Sequence, residues 1–170
     1  QKRVDYLIKA FALVAEKKPG ARLELYGTGP LQADIEGLIA RFGLQHQVKI
    51  IPPVPQAELG TVYNRATMVV LNSWQEGFGL ALSEAMLCGA AVIGTRSGGI
   101  TDIIEHNERG LLVEPDDSSD LAEAIIRLFE DKPLRERLAS AGHRFAHETY
   151  TSASLASRYA DIIRSCVKSD

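Results

Sequence analysis

Stretches with a helical spacing of apolar residues alternate along this chain with short apolar runs, and that alternation limits the fold more than any other feature. The first helical stretch covers about residues 4–17. Val4, Leu7, Ile8, Phe11 and Val14 recur every three or four positions, Lys9, Glu16, Lys17 and Lys18 lie opposite, and Pro19 and Gly20 stop the pattern. Residues 22–26 alternate polar and apolar as a strand does. A helix marked by Leu31, Ile35, Leu38 and Ile39 follows, then a strand over 48–51 ended by Pro52 and Pro53, a helix over about 56–65, and a continuous apolar run over 67–71. A helix over about 79–87 stops at Gly89, and 90–93 reads as a strand. A short helix opened by Ser97, Gly98 and Gly99 runs through Ile103 and Ile104 to a stop at Gly110, and 111–113 is a brief strand. The remainder reads as helices over about 118–131, 134–147 and 152–166, broken at Pro133 and around Thr149, Tyr150 and Thr151. Continuous apolar strands belong to parallel sheets covered on both faces, and strands alternating with helices predict a doubly wound α/β domain. With 170 residues, the expectation is a single domain over 1–170 that can bury about two thirds of its unfolded surface without disulfide or metal.

Composition narrows the partners. There are 19 basic and 22 acidic residues, net charge −3, and no basic run longer than Lys17 and Lys18, so neither nucleic acid nor an anionic lipid surface is indicated. Cys88 and Cys166 are far apart with no zinc or redox spacing, and read as reduced, buried thiols of a cytosolic-type protein. No stretch approaches the roughly 18 apolar residues of a membrane span, and Gln1 to Asp5 read as the lead into an amphipathic pattern rather than as a signal peptide. The helical pattern starts within three or four residues of Gln1, the expectation for a fragment of a longer chain. In the acidic cluster 114–120, Asp120 and Glu123 have the spacing of an N-cap and its N3 partner, which reads as the start of a helix rather than a calcium loop.

In a doubly wound sheet, ligands bind at the carboxyl ends of the strands, which here means the loops 27–30, 52–55, 72–79 and 94–99. Gly27, Thr28 and Gly29 lie between a strand and a helix, where bare amides can approach a phosphate or a sugar, although a plain turn has the same composition. A dinucleotide fingerprint would need a third glycine where Gln32 stands, which disfavours NAD. The segment from Trp74 to Ala85 is richer: Glu76 and Glu84 flank a Gly77-Phe78-Gly79 turn that opens a helix. Free amides near Gly79 and Leu80 suit a diphosphate, worth about 0.3–2 kcal/mol per charge. Each carboxylate has the acceptor geometry for a vicinal diol, such as the sugar and the ribose of a nucleotide sugar present. The plainer alternative makes Glu76 a loop surface charge and Glu84 a solvated helix residue. Other candidates carry less. His143 and His147 have a metal-pair spacing but lack a third ligand and read as helix surface, and His46 and His106 read as solvated. Trp74 lines the cleft or packs under the loop, and Ser83 lacks a nucleophile motif.

Taken in order, these motifs resemble a known family. The Glu76-to-Glu84 segment matches the Glu-x7-Glu signature of retaining glycosyltransferases of the GT-B fold and is similar to glycosyltransferase family 4. Lys2 with Asp5 to Phe11, Tyr26 to Pro30, Gly89 to Gly94, Gly98 with Gly99, and Gly110 to Val113 follow in that family's order. The resemblance implies a Rossmann-like α/β fold with a parallel sheet and helices on both faces, the C-terminal, donor-binding half of a two-domain enzyme. It implies that Lys2 neutralises the donor diphosphate with an arginine upstream of this chain, and that Glu76 positions the donor sugar. Glu84 would hold the ribose, Phe78, Gly79 and Leu80 the sugar and phosphates, and Gly27 and Gly29 would also bind donor. Val54, in the loop 52–54, would meet the base. Two positions depart from the pattern, since Pro52 and Arg3 stand where glycines are usual. The implied donor is a UDP- or GDP-sugar, with no metal and no cofactor. The acceptor, a sugar, lipid or protein, would be held by an N-terminal domain outside this chain, so the isolated chain is expected to be inactive. Only through that other domain would a cytoplasmic protein become peripheral at the inner face of a membrane. The rivals are a related phosphorylase or synthase, which pyridoxal phosphate would reveal in the first case, and a non-catalytic receiver-like module, which would need an acidic cluster at its first strands.

Overall fold

A computed structural model of the protein describes residues 2–151. The elements alternate as α1 (Val4–Lys17), β1 (Leu23–Tyr26), α2 (Gln32–Arg41), β2 (Val48–Ile51), α3 (Gln56–Arg65), β3 (Met68–Leu71), α4 (Leu80–Leu87), β4 (Ala91–Thr95), α5 (Ile100–Ile103), β5 (Leu111–Val113), α6 (Ser118–Glu130) and α7 (Lys132–Tyr150). All strand pairings are parallel. β1 pairs with β2 from Leu23 opposite Val48, β3 with β4 from Met68 opposite Ala91, and β4 with β5 from Ile93 opposite Leu111. Among the described residues the ladders are two, β1-β2 and β3-β4-β5, rather than one continuous sheet. What unites them is packing: Leu23, Leu25 and Ile50 of the first join Met68, Val70 and Ile93 of the second in one apolar cluster under α1, α2 and α6.

The two-residue period of a strand sends alternate side chains to opposite faces. Ala91 and Ile93 face the first cluster and Val92 the second, while Leu111 and Val113 are divided from Leu112 in the same way. That alternation is why β5, and β4 up to its final Thr95, carry no polar side chain, and helices cover both faces. The second cluster is closed by Tyr63 of α3, Leu82, Ala85 and Met86 of α4, and Ile100 and Ile103 of α5. α7 serves both faces, with Leu134 and Leu138 in the first cluster and Phe145 and Ala146 in the second. Ile93 is fully buried between these layers, a position where truncation to alanine costs about 2–5 kcal/mol.

The elements lie within about two residues of their sequence positions, except that α5 ends at Ile103, well before the expected stop at Gly110, and α7 runs three residues past the expected 147. Pro133 does not break it but sits in its first turn, where a missing N–H is harmless, and Asp131 caps it by accepting from Leu134 N–H at 2.8 Å. The N-cap of α6 is corrected. Asp117 accepts from the N–H groups of Ser119 and Asp120, while Asp120 lies inside the first turn and accepts from Glu114 N–H at 2.7 Å. Both acids therefore satisfy orphan donors, one position set earlier than the spacing of Asp120 and Glu123 implied. The expected helix over 152–166 and Cys166 lie outside the described residues. Among the described residues no helix is long and apolar enough to cross a membrane.

Candidate functional site

The carboxyl ends of β3 and β4 gather most of the expected residues. Lys2 pairs with Ser73 in an isolated antiparallel bridge. Arg3 N–H donates to Asn72 O at 3.0 Å, and Asn72 Nδ2 returns a bond to Arg3 O at 2.7 Å. The segment before α1 is thus strapped to the loop after β3, which sets Lys2 beside that loop. Lys2 is exposed, and its ammonium has no ion-pair partner among the described residues.

Ser73 organises the loop itself. It is almost wholly buried; its N–H donates to Thr95 Oγ1 at 3.2 Å, and its carbonyl accepts from Thr95 Oγ1 at 2.6 Å and Ser97 Oγ at 2.8 Å. Its own hydroxyl donates to Glu76 Oε2 at 3.2 Å. Glu76 is half-buried and oriented, so it is not a loop surface charge. Gly98 and Gly99 belong to the same construction. Gly99 N–H donates to Glu76 O at 3.0 Å, and a Cβ at Gly98 would lie 2.1 Å from that oxygen. Gly98 also has φ +48°, which side-chain-bearing residues avoid. The glycine pair therefore lets the 94–99 loop lie directly on the Glu76 and Gly77 backbone.

Gly79 opens α4 in the left-handed region at φ 91°, with no side chain capping the helix. That leaves the first amides of α4, three residues after Glu76, without a side-chain cap, and uncapped helix starts can accommodate an anion. Around it, Trp74, Phe78 and Leu80 are 59%, 41% and 65% exposed, unusual for large apolar side chains. Trp74 therefore does not pack under the loop; the Arg3 guanidinium sits 5.5 Å from its ring and 4.3 Å from that of Tyr6. Arg3, which stands where the family pattern has glycine, also pairs with Asp116 at 2.5 Å and Asp5 at 3.3 Å.

Glu84 lies one turn along α4, half-buried, and Oε2 accepts from the Tyr63 hydroxyl at 3.0 Å. Burial first, and the hydrogen bond with Glu84 second, push the Tyr63 hydroxyl above its ordinary value. Burial likewise raises the neighbouring Cys88 thiol. Gly27 and Gly29 follow β1 and form a second group with the loop after β2: Gly27 N–H donates to Ile51 O at 2.9 Å, immediately before Pro52, Pro53 and half-buried Val54. A Cβ at Gly29 would meet nothing within 4 Å, so protein packing does not require glycine there.

The remaining candidates take structural roles. Ser83 is buried and donates to Leu80 O at 2.9 Å. His143 and His147 are exposed on α7 with ring centroids 6.2 Å apart. His106 is more than solvated, since Nδ1 accepts from Leu112 N–H at 3.0 Å. No three His, Cys, Asp or Glu side chains converge as metal ligands among the described residues. Asn72, Ser73, Thr95 and Tyr63 belong to no sequence motif, and the hydroxyl of Ser97 serves the loop as well as the turn. The available signal was the polar residue that directly follows an apolar strand, as Asn72 follows Leu71 and Thr95 follows Gly94.

A parallel α/β domain with its polar residues at the strand ends is the architecture of the C-terminal halves of GT-B glycosyltransferases, and solved structures of such halves superpose on it. The chain belongs to the family of glycosyl transferases group 1, which matches residues 1–145. It is 31% identical over 169 residues, 99% of its length, to N-acetyl-alpha-D-glucosaminyl L-malate synthase of Bacillus anthracis, and spans 44% of that relative. The C-terminal domain of a glycosyl transferase group 1 family protein (LpcC) from Francisella tularensis has a TM-score of 0.82 and 30% identity, covering 89% of this chain and 80% of that one. Anabaena Alr3699/HepE in complex with UDP and glucose has a TM-score of 0.86 and 26% identity, covering 96% of this chain and 45% of that one.

Proposed function

We propose that this chain is the donor-binding half of a retaining glycosyltransferase that moves a sugar from a nucleoside diphosphate onto an acceptor hydroxyl. The observation that carries the reading is that Ser73 holds both the Lys2 backbone and the Glu76 carboxylate in the loop that leads to the uncapped start of α4. A cation, an oriented carboxylate and uncapped helix amides at one loop suit a diphosphate with a sugar on its far side. The UDP complex of the Anabaena relative supports the ligand class. In this assignment the α4 amides near Gly79 and Leu80 hold the diphosphate and Phe78 lies against the sugar. Glu76 accepts from sugar hydroxyls and Glu84 from the ribose diol. Gly27, Gly29 and Val54 border the nucleoside.

The reaction breaks the bond between the anomeric carbon and the diphosphate oxygen and forms one to the acceptor oxygen, on the same face. The acceptor's proton passes to the departing phosphate oxygen, and Lys2 stabilises the charge that grows there. One preorganised donor of this kind is worth about 2.7–4 kcal/mol. Neither a metal ion nor a covalent carboxylate intermediate enters this scheme. The acceptor, whether sugar, lipid or protein, is assigned to a preceding domain, in keeping with the 44% share of the Bacillus relative that this chain spans.

The division of labour between the carboxylates is testable by calorimetry. Glu84→Gln should weaken binding of both the free nucleotide and the nucleotide sugar, by about 10- to 150-fold for a lost hydrogen bond to a charged group. Glu76→Gln should weaken only the sugar-bearing ligand. Equal losses for both ligands in both variants would refute the assignment.

A further inference from the structure

We propose that Tyr63 is a positioning residue for Glu84, fixing one carboxylate oxygen with its hydroxyl so that the other stays aimed at the ribose diol. This rests on the ribose role given to Glu84 above. The geometry is a hydrogen bond of 3.0 Å from the Tyr63 hydroxyl to Glu84 Oε2, made between successive helices, α3 and α4. Glu84 sits at the boundary between core and solvent, where a glutamate has several rotamers open to it. Tyr63 is different. Its ring is 8% exposed and packed in the cluster of Leu82, Ala85 and Met86, so its hydroxyl is delivered from a site that core packing holds still.

An ionised carboxylate only accepts, so the hydroxyl must donate, and a bond to a charged acceptor is among the stronger kinds. Burial and the adjacent carboxylate both favour the protonated phenol, which keeps the donor in place through the neutral range. Because Oε2 is engaged, Oε1 is left for a ligand, and a diol meets a carboxylate whose orientation is already chosen. The gain is preorganisation: side-chain freedom is given up on folding instead of on binding.

The test uses UDP and GDP, each with its 2′,3′-dideoxy counterpart, titrated into the wild-type chain, Tyr63→Phe, Glu84→Gln and the double variant. The wild type should prefer the diol-bearing nucleotide. Tyr63→Phe, which removes only the hydroxyl, should lose about 3- to 10-fold in affinity for that nucleotide and bind the dideoxy form unchanged. The double variant should be no weaker than Glu84→Gln alone, since both changes act through one contact. A Tyr63→Phe variant that loses affinity equally for both nucleotides, or for neither, overturns the positioning role. A wild type that binds both forms equally, or binds no nucleotide, or a Glu84→Gln without effect, overturns instead the ribose assignment on which it rests.

Discussion

Gly98 and Gly29 both lie in strand-to-helix loops, yet they do different work. A methyl group at Gly98 would collide with the Glu76 carbonyl at 2.1 Å, at a φ of +48°, so Gly98→Ala should destabilise the fold by about 1–3 kcal/mol, read as a lower Tm. Gly29 has open space around it. Gly29→Ala should change stability by less than about 0.5 kcal/mol while weakening nucleotide binding, the outcome expected of the proposed role of Gly29 beside the nucleoside. Sequence could find both glycines but not tell them apart, since the contact at Gly98 is made with a segment some twenty residues earlier. Tyr63 was hidden for a similar reason, reading as one more polar position in an ordinary amphipathic helix. Its titration gives a pH signature. The phenol binds its proton more tightly in the folded protein than in the unfolded chain, so its contribution is complete below the unfolded value near 10 and declines as pH rises beyond it. Alkaline denaturation followed by circular dichroism should therefore be less steep in Tyr63→Phe than in the wild type.

Helices and strands were readable because their periods are written locally: α1 from Leu7, Ile8, Phe11 and Val14, and β2 from the residues before Pro52. Caps were harder. The segment 114–120 offers several acids three apart, and local spacing does not say which backbone turns into the helix; in the structure it is Asp117. Asp117→Ala should cost about 1 kcal/mol through the lost N-cap, measurable as a fall in urea midpoint at unchanged slope, whereas Glu123→Ala should be nearly silent. The loop after β3 shows the other limit. Its glutamate and glycines were legible as chemistry, but the anchoring of Ser73 by Thr95 and Ser97, and of Lys2 by Ser73, depends on two strands ending side by side. Hydrophobic pattern fixes which strands exist, while the pairing of their ends follows from the sheet.

At the scale of the molecule, two short parallel ladders share one apolar layer, α7 closes both faces, and the polar residues without a structural debt to the core collect at the carboxyl ends of β3 and β4. Parallel α/β organisation was expected from the continuous apolar strands. The division into two ladders was not, because packing and hydrogen bonding unite strands by different rules. With Trp74, Phe78 and Leu80 exposed around it, the site is open rather than enclosed, which fits a surface completed by a second domain. The measurement that tests this account most directly is calorimetric titration of the chain with UDP, GDP and ADP, followed by sugar conjugates of the nucleotide that binds. The account predicts saturable, one-to-one binding selective for UDP or GDP and weakened by Glu84→Gln. Failure of all three nucleotides to bind, both to this chain and to a longer protein that contains it, would contradict the assignment of a nucleotide-sugar site.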